Sequence, residues 1–148
     1  MLMIAWIINE MKKINISLIF VLALFISGGA VASSDANSFS GEWEWTDSPP
    51  DYTFSLSLKQ RGYTIAGQYC AVAHAGKRID CDEEKNQNVS GRIDSKSGVA
   101  TVRFMSFFGA SPGKATISIV NRHLIWHITE KPNEGESYAP IDAVMNRE

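Results

Sequence analysis

The stretch YTFSLSLKQRGYTIAGQYC, from Tyr52 to Cys70, decides the fold of this chain. Its first half places apolar residues at every second position, with Thr, Ser and Lys between them: Tyr52, Phe54, Leu56 and Leu58. A period of two is typical of a half-buried β-strand, because successive side chains point to opposite faces. After a turn at Arg61-Gly62 the alternation resumes at Tyr63, Ile65, Gly67 and Tyr69. The stretch therefore predicts a β-hairpin.

The same period continues toward the end of the chain. Val99 to Phe108 is rich in β-branched and aromatic residues, and Ala115 to Ile119 alternates again. Asn121-Arg122 suits a tight turn into a further alternating run from Leu124 to Ile128. After Pro140, Ile141, Ala143 and Met145 fit a strand, whereas Ile141, Val144 and Met145 fit a helix. We expect a closing strand.

About eight short strands linked by tight turns predict an all-β fold. A small antiparallel up-and-down β-barrel is the architecture that we expect, since closure removes the exposed strand edges that favour aggregation. A β-sandwich is the alternative, because the order of strands in a sequence does not distinguish a closed sheet from two stacked ones.

The two cysteines of the chain, Cys70 and Cys81, lie symmetrically about Ala75-Gly76. A hairpin that turns at residues 74–77 would place them opposite each other, within reach of a disulfide. An even number of cysteines in an exported protein is typical of structural pairing. We therefore predict a Cys70–Cys81 disulfide.

The N-terminal residues have the pattern of a secretory signal peptide. Two lysines follow Met11, an apolar run extends from Leu18 to Ile26, and small residues at Ala30 and Ala32 suit cleavage before Ser33. We predict a signal peptide over residues 1–32, with Met11 as the true start, and one β-barrel domain over residues 33–148. This implies a periplasmic or secreted protein without a membrane anchor after cleavage.

Charge and length restrict the possible functions. The full chain carries a net charge of −2, and removal of the predicted signal peptide leaves 12 basic and 15 acidic residues, a net charge of −3. This balance argues against a nucleic-acid partner. The remaining length, about 116 residues, suffices for one hydrophobic core.

Two sets of sequence features carry a resemblance to known families of β-barrel proteins. Gly41-Glu42-Trp43, the hairpin that leads to Gly67-Gln68-Tyr69, and Leu124-Ile125-Trp126 resemble the layout of lipocalin-like and avidin-like barrels. Those families begin with a Gly-x-Trp strand and bind ligands in the barrel mouth. Exported size, one disulfide and the loop Ser111-Pro112-Gly113-Lys114 are in turn similar to the small periplasmic barrels that inhibit lysozymes.

The first resemblance implies a ligand site among aromatic side chains. The candidate contacts for a small apolar molecule are Trp43, Trp45, Tyr63, Tyr69 and Trp126. An eight-stranded barrel is wide enough either for a packed aromatic core or for one small ligand, so both interpretations stay open.

The second resemblance implies a partner loop. Adjacent residues on a strand point to opposite faces, so at least one of Phe107 and Phe108 is expected to point outward beside the loop from Gly109 to Lys114. Phe108, Ser111 and Lys114 are the candidate contacts for an envelope protein.

Other motifs do not support catalysis or a cofactor. No Gly-x-Ser-x-Gly elbow occurs, and the three histidines lack a third metal ligand at matched spacing, so we expect no metal and no cofactor. The acidic group from Asp80 to Glu84 lacks the spacing of a calcium loop and is interpreted as a solvated hairpin exit. We predict an exported, non-enzymatic, lipocalin-like binding protein. The alternatives are an inhibitor or immunity-type protein acting on a cell-wall hydrolase, and a hydrolase of unknown type.

Overall fold

The computed structural model describes residues 37–84, 86–109 and 111–148. The predicted signal peptide and the start at Met11 lie outside the described residues. The regular elements of the described part are nine strands: β1 Gly41–Trp45, β2 Thr53–Arg61, β3 Thr64–Ala73, β4 Arg78–Asp80, β5 Val89–Ile93, β6 Ala100–Phe104, β7 Gly113–Val120, β8 His123–Glu130 and β9 Asp142–Arg147. Within these residues no helix is long and apolar enough to cross a membrane.

Eight of the nine strands close into an antiparallel barrel. The order is β2-β1-β9-β8-β7-β6-β5-β3, and a further pairing of β2 with β3 completes the circle. The ninth strand, β4, pairs only with the last residues of β3. The closing strand after Pro140 is confirmed as β9, which pairs with both β1 and β8. The predicted barrel is therefore confirmed, and the sandwich alternative is wrong.

The hairpin that the sequence predicts from Tyr52 to Cys70 forms as β2 and β3. Its register runs from Thr53 opposite Val72 to Arg61 opposite Thr64. The prediction that Tyr63 belongs to the second strand is wrong, because Gly62 and Tyr63 form the two-residue turn. Gly62 has a φ of 58°, a conformation that glycine adopts without steric cost. Tyr63 consequently points into solvent and is 59% exposed.

The interior of the barrel is filled by side chains. Four rings form a closed set of contacts in its centre, with Phe54 5.2 Å and Phe104 5.3 Å from Trp126, and Tyr69 5.9 Å and 6.0 Å from the same two phenylalanines. Trp43 is also buried, and its indole Nε1 donates a hydrogen bond to the Phe39 carbonyl oxygen at 3.0 Å. Aromatic packing at these separations is typical of a solid protein core.

The predicted disulfide is confirmed. Ala71 lies opposite Asp80 in the β3–β4 pair, so the next pair outward brings Cys70 opposite Cys81, with their Cα atoms 4.4 Å apart. The turn of this hairpin falls at residues 74–77, as the symmetry of the cysteines predicts. The bond is consistent with an exported protein, because disulfides persist in oxidising compartments.

Candidate functional site

Asp80 is the most unusual polar residue of the described structure, because its side chain is fully buried. Its Oδ1 accepts hydrogen bonds from the Ser106 hydroxyl at 2.9 Å and from the Phe107 amide at 2.7 Å. Its Oδ2 accepts one from the Tyr69 hydroxyl at 2.7 Å and one from the Tyr138 amide at 3.2 Å. Four donors thus compensate the loss of water around the carboxylate.

The interpretation of Asp80 as part of a solvated hairpin exit is wrong. The β3–β4 register places Asp80 beside Ala71, on the inward face of the sheet, and turns its neighbour Ile79 outward, where it is 56% exposed. On β4 the charged residue Asp80 is therefore buried and the apolar residue Ile79 is exposed, the reverse of the usual arrangement. Glu83 and Glu84, farther along the same acidic group, are exposed as expected.

The carboxylate of Asp80 joins three segments at one end of the barrel. These are the β3–β4 hairpin, the β6–β7 connection over residues 105–112 and the β8–β9 connection over residues 131–141. The bond to the Phe107 amide also explains why β6 ends at Phe104, although Val99 to Phe108 predicts one strand. We call this end, which all three segments share, the loop end.

Five aromatic side chains form a continuous row across the loop end, which we call the aromatic ridge. Its members are Tyr52, His74, Tyr138, Phe108 and Phe107. Successive ring centroids in that order lie 5.6, 6.1, 5.5 and 6.5 Å apart. Phe107 is 63% exposed and Phe108 is 39% exposed. Both phenylalanines that the sequence places beside the loop therefore reach solvent.

The backbone of the β3–β4 turn holds His74 in its place in the ridge. His74 and Ala75 both have a φ near 55°, and the Ala75 amide donates to the carbonyl oxygen of Asp51 at 3.1 Å. This bond holds the hairpin turn beside Tyr52. Such left-handed backbone in residues other than glycine costs free energy and persists only where surrounding contacts enforce it.

The predicted partner loop makes its polar contacts within the protein. The Ser111 hydroxyl oxygen accepts hydrogen bonds from the amides of Asn133 at 2.7 Å and Glu134 at 3.2 Å. Lys114 lies on the outer wall of β7 and forms an ion pair with Glu130. Phe108 is the one member of the predicted set of three that belongs to the ridge. Ser111 thus holds the loop against residues 133–134, whereas the side chains of Phe107 and Phe108 are exposed to solvent.

The five predicted ligand contacts do not share one surface. Trp43, Tyr69 and Trp126 lie in the packed interior, and Trp45 is half-buried against the same core. Tyr63 stands at the opposite end of the barrel, in the β2–β3 turn. The structure brings Tyr69 and Trp126 together through shared ring partners and leaves Tyr63 apart from both.

Sequence reasoning did not identify Asp80, Tyr52, His74 and Tyr138 as site residues. They come from three separate segments, the residues leading into β2, the β3–β4 hairpin and the β8–β9 connection, so no local motif connects them. One signal in the sequence was available for Asp80: it directly precedes Cys81, in a hairpin whose disulfide fixes which residues face inward.

Burial changes the acid–base behaviour of Tyr69. Desolvation raises the pKa of its hydroxyl well above the ordinary value, and the negative charge of Asp80 with its hydrogen bond raises it further. The phenol therefore stays protonated where an exposed tyrosine ionises. It serves as a permanent hydrogen-bond donor to Asp80.

This shift predicts a loss of stability in alkali. Above pH 10 or so the unfolded chain releases the Tyr69 proton while the folded protein retains it, so the free energy of unfolding falls as pH rises, by at most about 1.4 kcal/mol per pH unit. Chemical denaturation between pH 8 and 11 measures this slope. In Tyr69→Phe the slope should be shallower by one proton, and an unchanged slope in that variant would contradict the assignment.

The ridge offers flat aromatic faces, ring edges and two phenolic hydroxyls on a fixed backbone. These groups suit recognition by contact, because aromatic rings bury much apolar area with few rotatable bonds. Comparison with family models, with curated proteins and with solved structures finds no match for this chain.

Proposed function

We propose that this chain is an exported, non-enzymatic binding protein that recognises an envelope protein with its aromatic ridge. The observation that carries the proposal is a row of aromatic side chains, of which His74, Phe107 and Phe108 are exposed, above a fully buried carboxylate. A buried charge is expensive to maintain unless several donors compensate it. Two of those donors are the backbone amides of Phe107 and Tyr138, which belong to the surface that we assign to binding.

The ridge supports the proposal better than the barrel interior does. A lipocalin-like site needs space for a ligand among the inward-facing side chains, yet Phe54 and Phe104 are both buried and both in ring contact with the buried Trp126. A ligand would have to displace a core that stabilises the fold. We therefore assign the barrel the role of a scaffold and the loop end the role of recognition.

A protein is the partner that the ridge fits best. Phe107 and Phe108 protrude from a connection whose backbone is held at Ser106, Phe107 and Ser111. Aromatic anchors of this kind carry much of the binding energy of protein interfaces. A preorganised loop also loses little conformational freedom on association, which improves affinity.

A cell-wall hydrolase is the first partner class to test, on the strength of the resemblance to periplasmic lysozyme inhibitors. In such a complex the connection over residues 105–112 would enter the cleft of the hydrolase. The structure assigns Ser111 and Lys114 to internal contacts. Phe107 and Phe108 would therefore make the principal contacts with the cleft.

The test uses the full chain, exported and oxidised, in three forms: wild type, the double variant Phe107→Ser with Phe108→Ser, and the control Val120→Ser. Val120 is 50% exposed in the described structure and lies beside the β7–β8 turn, at the end opposite the ridge. Covalent cross-linking in the envelope, followed by mass spectrometry, identifies partners. Purified lysozymes and cell-wall amidases are assayed in parallel for inhibition of peptidoglycan hydrolysis.

We expect one protein partner to be captured equally by wild type and Val120→Ser. Two hot-spot aromatics together contribute several kcal/mol, so the double variant should bind that partner at least about 100-fold more weakly. Capture that is unchanged in the double variant would overturn the proposal. So would recovery of a stoichiometric apolar small molecule from the interior, or turnover of peptidoglycan by the protein itself.

A further inference from the structure

A second feature lies on the outer wall of the barrel, on strands β2, β3, β5 and β6. Four outward-facing cationic side chains occupy it: Lys59, Arg61, Arg92 and Arg103. Within the described residues none of the four forms an ion pair, although the whole chain carries a net negative charge. We call this surface the basic wall.

The register of the sheet arranges the basic wall in two parallel rows. One row crosses the four strands as Lys59, Ala66, Ser90 and Arg103. The other crosses them as Arg61, Thr64, Arg92 and Thr101. At the usual spacing of strands, the cations of one row are separated by roughly 10–15 Å, and neighbouring cations of different rows, such as Lys59 and Arg61, by roughly 7–8 Å. Like charges on one sheet face disfavour folding, and here small residues separate them.

Those small residues open two neighbouring grooves beneath the cations. The first, of about 530 Å³, is lined by Lys59 and Arg61 together with Ser57 and Gln68. The second, of about 660 Å³, is lined by Ser90, Arg92, Thr101 and Arg103. Both grooves share Thr64, Ala66 and Gln87, so they form one continuous depression.

The side chain of Gln68, in the lining of the first groove, contains a hydrogen-bond acceptor that lacks a partner among the described residues. Its amide oxygen Oε1 is buried and has no hydrogen-bond partner among the residues that the structure describes. An unsatisfied buried acceptor costs free energy, and a donor from a bound molecule would remove that cost. Rotation of the Gln68 side chain toward the groove would let a hydroxyl-bearing ligand supply the donor.

We infer that the basic wall binds an anionic polysaccharide, with the cations on its carboxylate or sulfate groups and Gln68 on a sugar hydroxyl. The cations stand roughly 7–15 Å apart, and the hydroxyl and amide side chains between them can pair with the hydroxyl groups of a sugar chain. Besides the cations, the grooves are lined by hydroxyl, amide and small side chains, by Ile65 and Ile93, and by one carboxylate, Asp94, at the edge next to the β5–β6 turn, without an aromatic residue among those described. Stacking platforms for bases are typical of single-strand nucleic-acid sites, so this lining argues against a single-stranded nucleic acid.

The inference is independent of the aromatic ridge. Residues 62–63, between β2 and β3, and residues 94–99, between β5 and β6, form the turns at the end of the barrel opposite the loop end. Arg61 and Arg92 lie next to these turns. A variant of the basic wall can therefore lose one activity and keep the other.

The test measures binding of a defined acidic oligosaccharide, a hexamer of galacturonic acid, by titration calorimetry at low and physiological salt. A heparin hexasaccharide tests sulfate, and neutral dextran, oligothymidylate and inorganic polyphosphate serve as comparison probes. The first variant combines Arg61→Ser with Arg92→Ser. Its control, Lys77→Ser with Arg122→Ser, removes the same charge from exposed positions outside the grooves. Gln68→Met removes the amide at similar size.

We expect binding of at least one acidic oligosaccharide and none of dextran. The double arginine variant should bind this oligosaccharide at least tenfold more weakly than wild type. The control variant should bind it less than threefold more weakly. Gln68→Met should weaken binding of the acidic oligosaccharide and leave binding of polyphosphate unchanged. Equal losses in the arginine variant and its control would overturn the inference, as would the absence of acidic-oligosaccharide binding. Tighter binding of oligothymidylate or polyphosphate would overturn it in favour of a nucleic acid or phosphate polymer.

Discussion

Replacement of Asp80 by alanine is expected to lower the free energy of unfolding by roughly 3–5 kcal/mol, because several buried donors lose their acceptor at once. The Tyr69 and Ser106 hydroxyls and the amides of Phe107 and Tyr138 all donate to this carboxylate. Each unsatisfied buried donor costs about 1–3 kcal/mol, and relaxation toward water at the loop end reduces the total. Urea denaturation of the oxidised protein measures the change.

Two variants separate the network from its individual bonds. Asp82→Ala removes a carboxylate two residues farther on, where Oδ1 accepts the Glu84 amide as its single hydrogen bond within the described residues, and should be close to neutral. Tyr69→Phe removes one donor and keeps three. If Asp80→Ala were no less stable than Asp82→Ala, the carboxylate would not be what holds the loop end together.

Replacement of Trp126 by alanine is the second large effect that we expect, again roughly 3–5 kcal/mol of lost stability. The indole is fully buried, contacts Phe54 and Phe104, and donates from Nε1 to the Pro140 carbonyl oxygen at 2.8 Å. Truncation would leave a cavity in the centre of the barrel and free the segment that leads into β9. Thermal and urea unfolding measure the loss.

The same residue distinguishes a core from a ligand site. In a packed core Trp126→Phe should cost less than Trp126→Ala, because it restores part of the volume while losing the bond to Pro140. It should also leave partner capture by the ridge intact. A Trp126→Ala protein as stable as wild type, or a Trp126→Phe protein that loses its partner while remaining folded, would contradict the scaffold role of the interior.

The barrel could be predicted because it follows from local patterns. Tyr52 to Cys70 carries alternation on both sides of a turn, and a one-residue slip in register would turn the apolar face of a strand to solvent. Asn121 and Arg122 likewise occupy the positive-φ positions of a tight hairpin turn. The Cys70–Cys81 pair followed from the symmetry of the same kind of hairpin.

The errors arose where a tertiary contact overrode the local pattern. β6 ends at Phe104, since the next residues turn toward the carboxylate of Asp80 rather than continue the ladder. Asp80 itself faces inward while Ile79 faces solvent, which reverses the rule that apolar residues mark the buried face. Tyr63 is not part of the strand, because the two-residue turn that contains Gly62 includes Tyr63 as its second residue.

The candidate site was only partly accessible from the sequence. The adjacency of Phe107 and Phe108 predicted that at least one of them is exposed; both are, because they lie in a turn and not on a strand. The other members of the ridge could not be found in this way, because His74 and Tyr138 are far apart in sequence and meet only once the loop end has formed. The rows of the basic wall likewise exist only after the register of four strands is fixed.

The fold separates these two surfaces and lets each be tested alone. The ridge lies on connections between strands, where the Asp80 network fixes the backbone, and the basic wall lies on the strands themselves. A binding protein with both could hold an envelope polysaccharide with its wall while the ridge engages a protein. Variants at Arg61 and at Phe107 should therefore affect different ligands.

The most direct test of the account compares capture of the envelope partner by wild type, by Phe107→Ser with Phe108→Ser, and by Val120→Ser, with all three proteins shown to be equally stable. If the ridge is the binding surface, the partner is retained by wild type and Val120→Ser and lost from the double variant. Equal capture by all three proteins would contradict the account and move recognition away from the loop end.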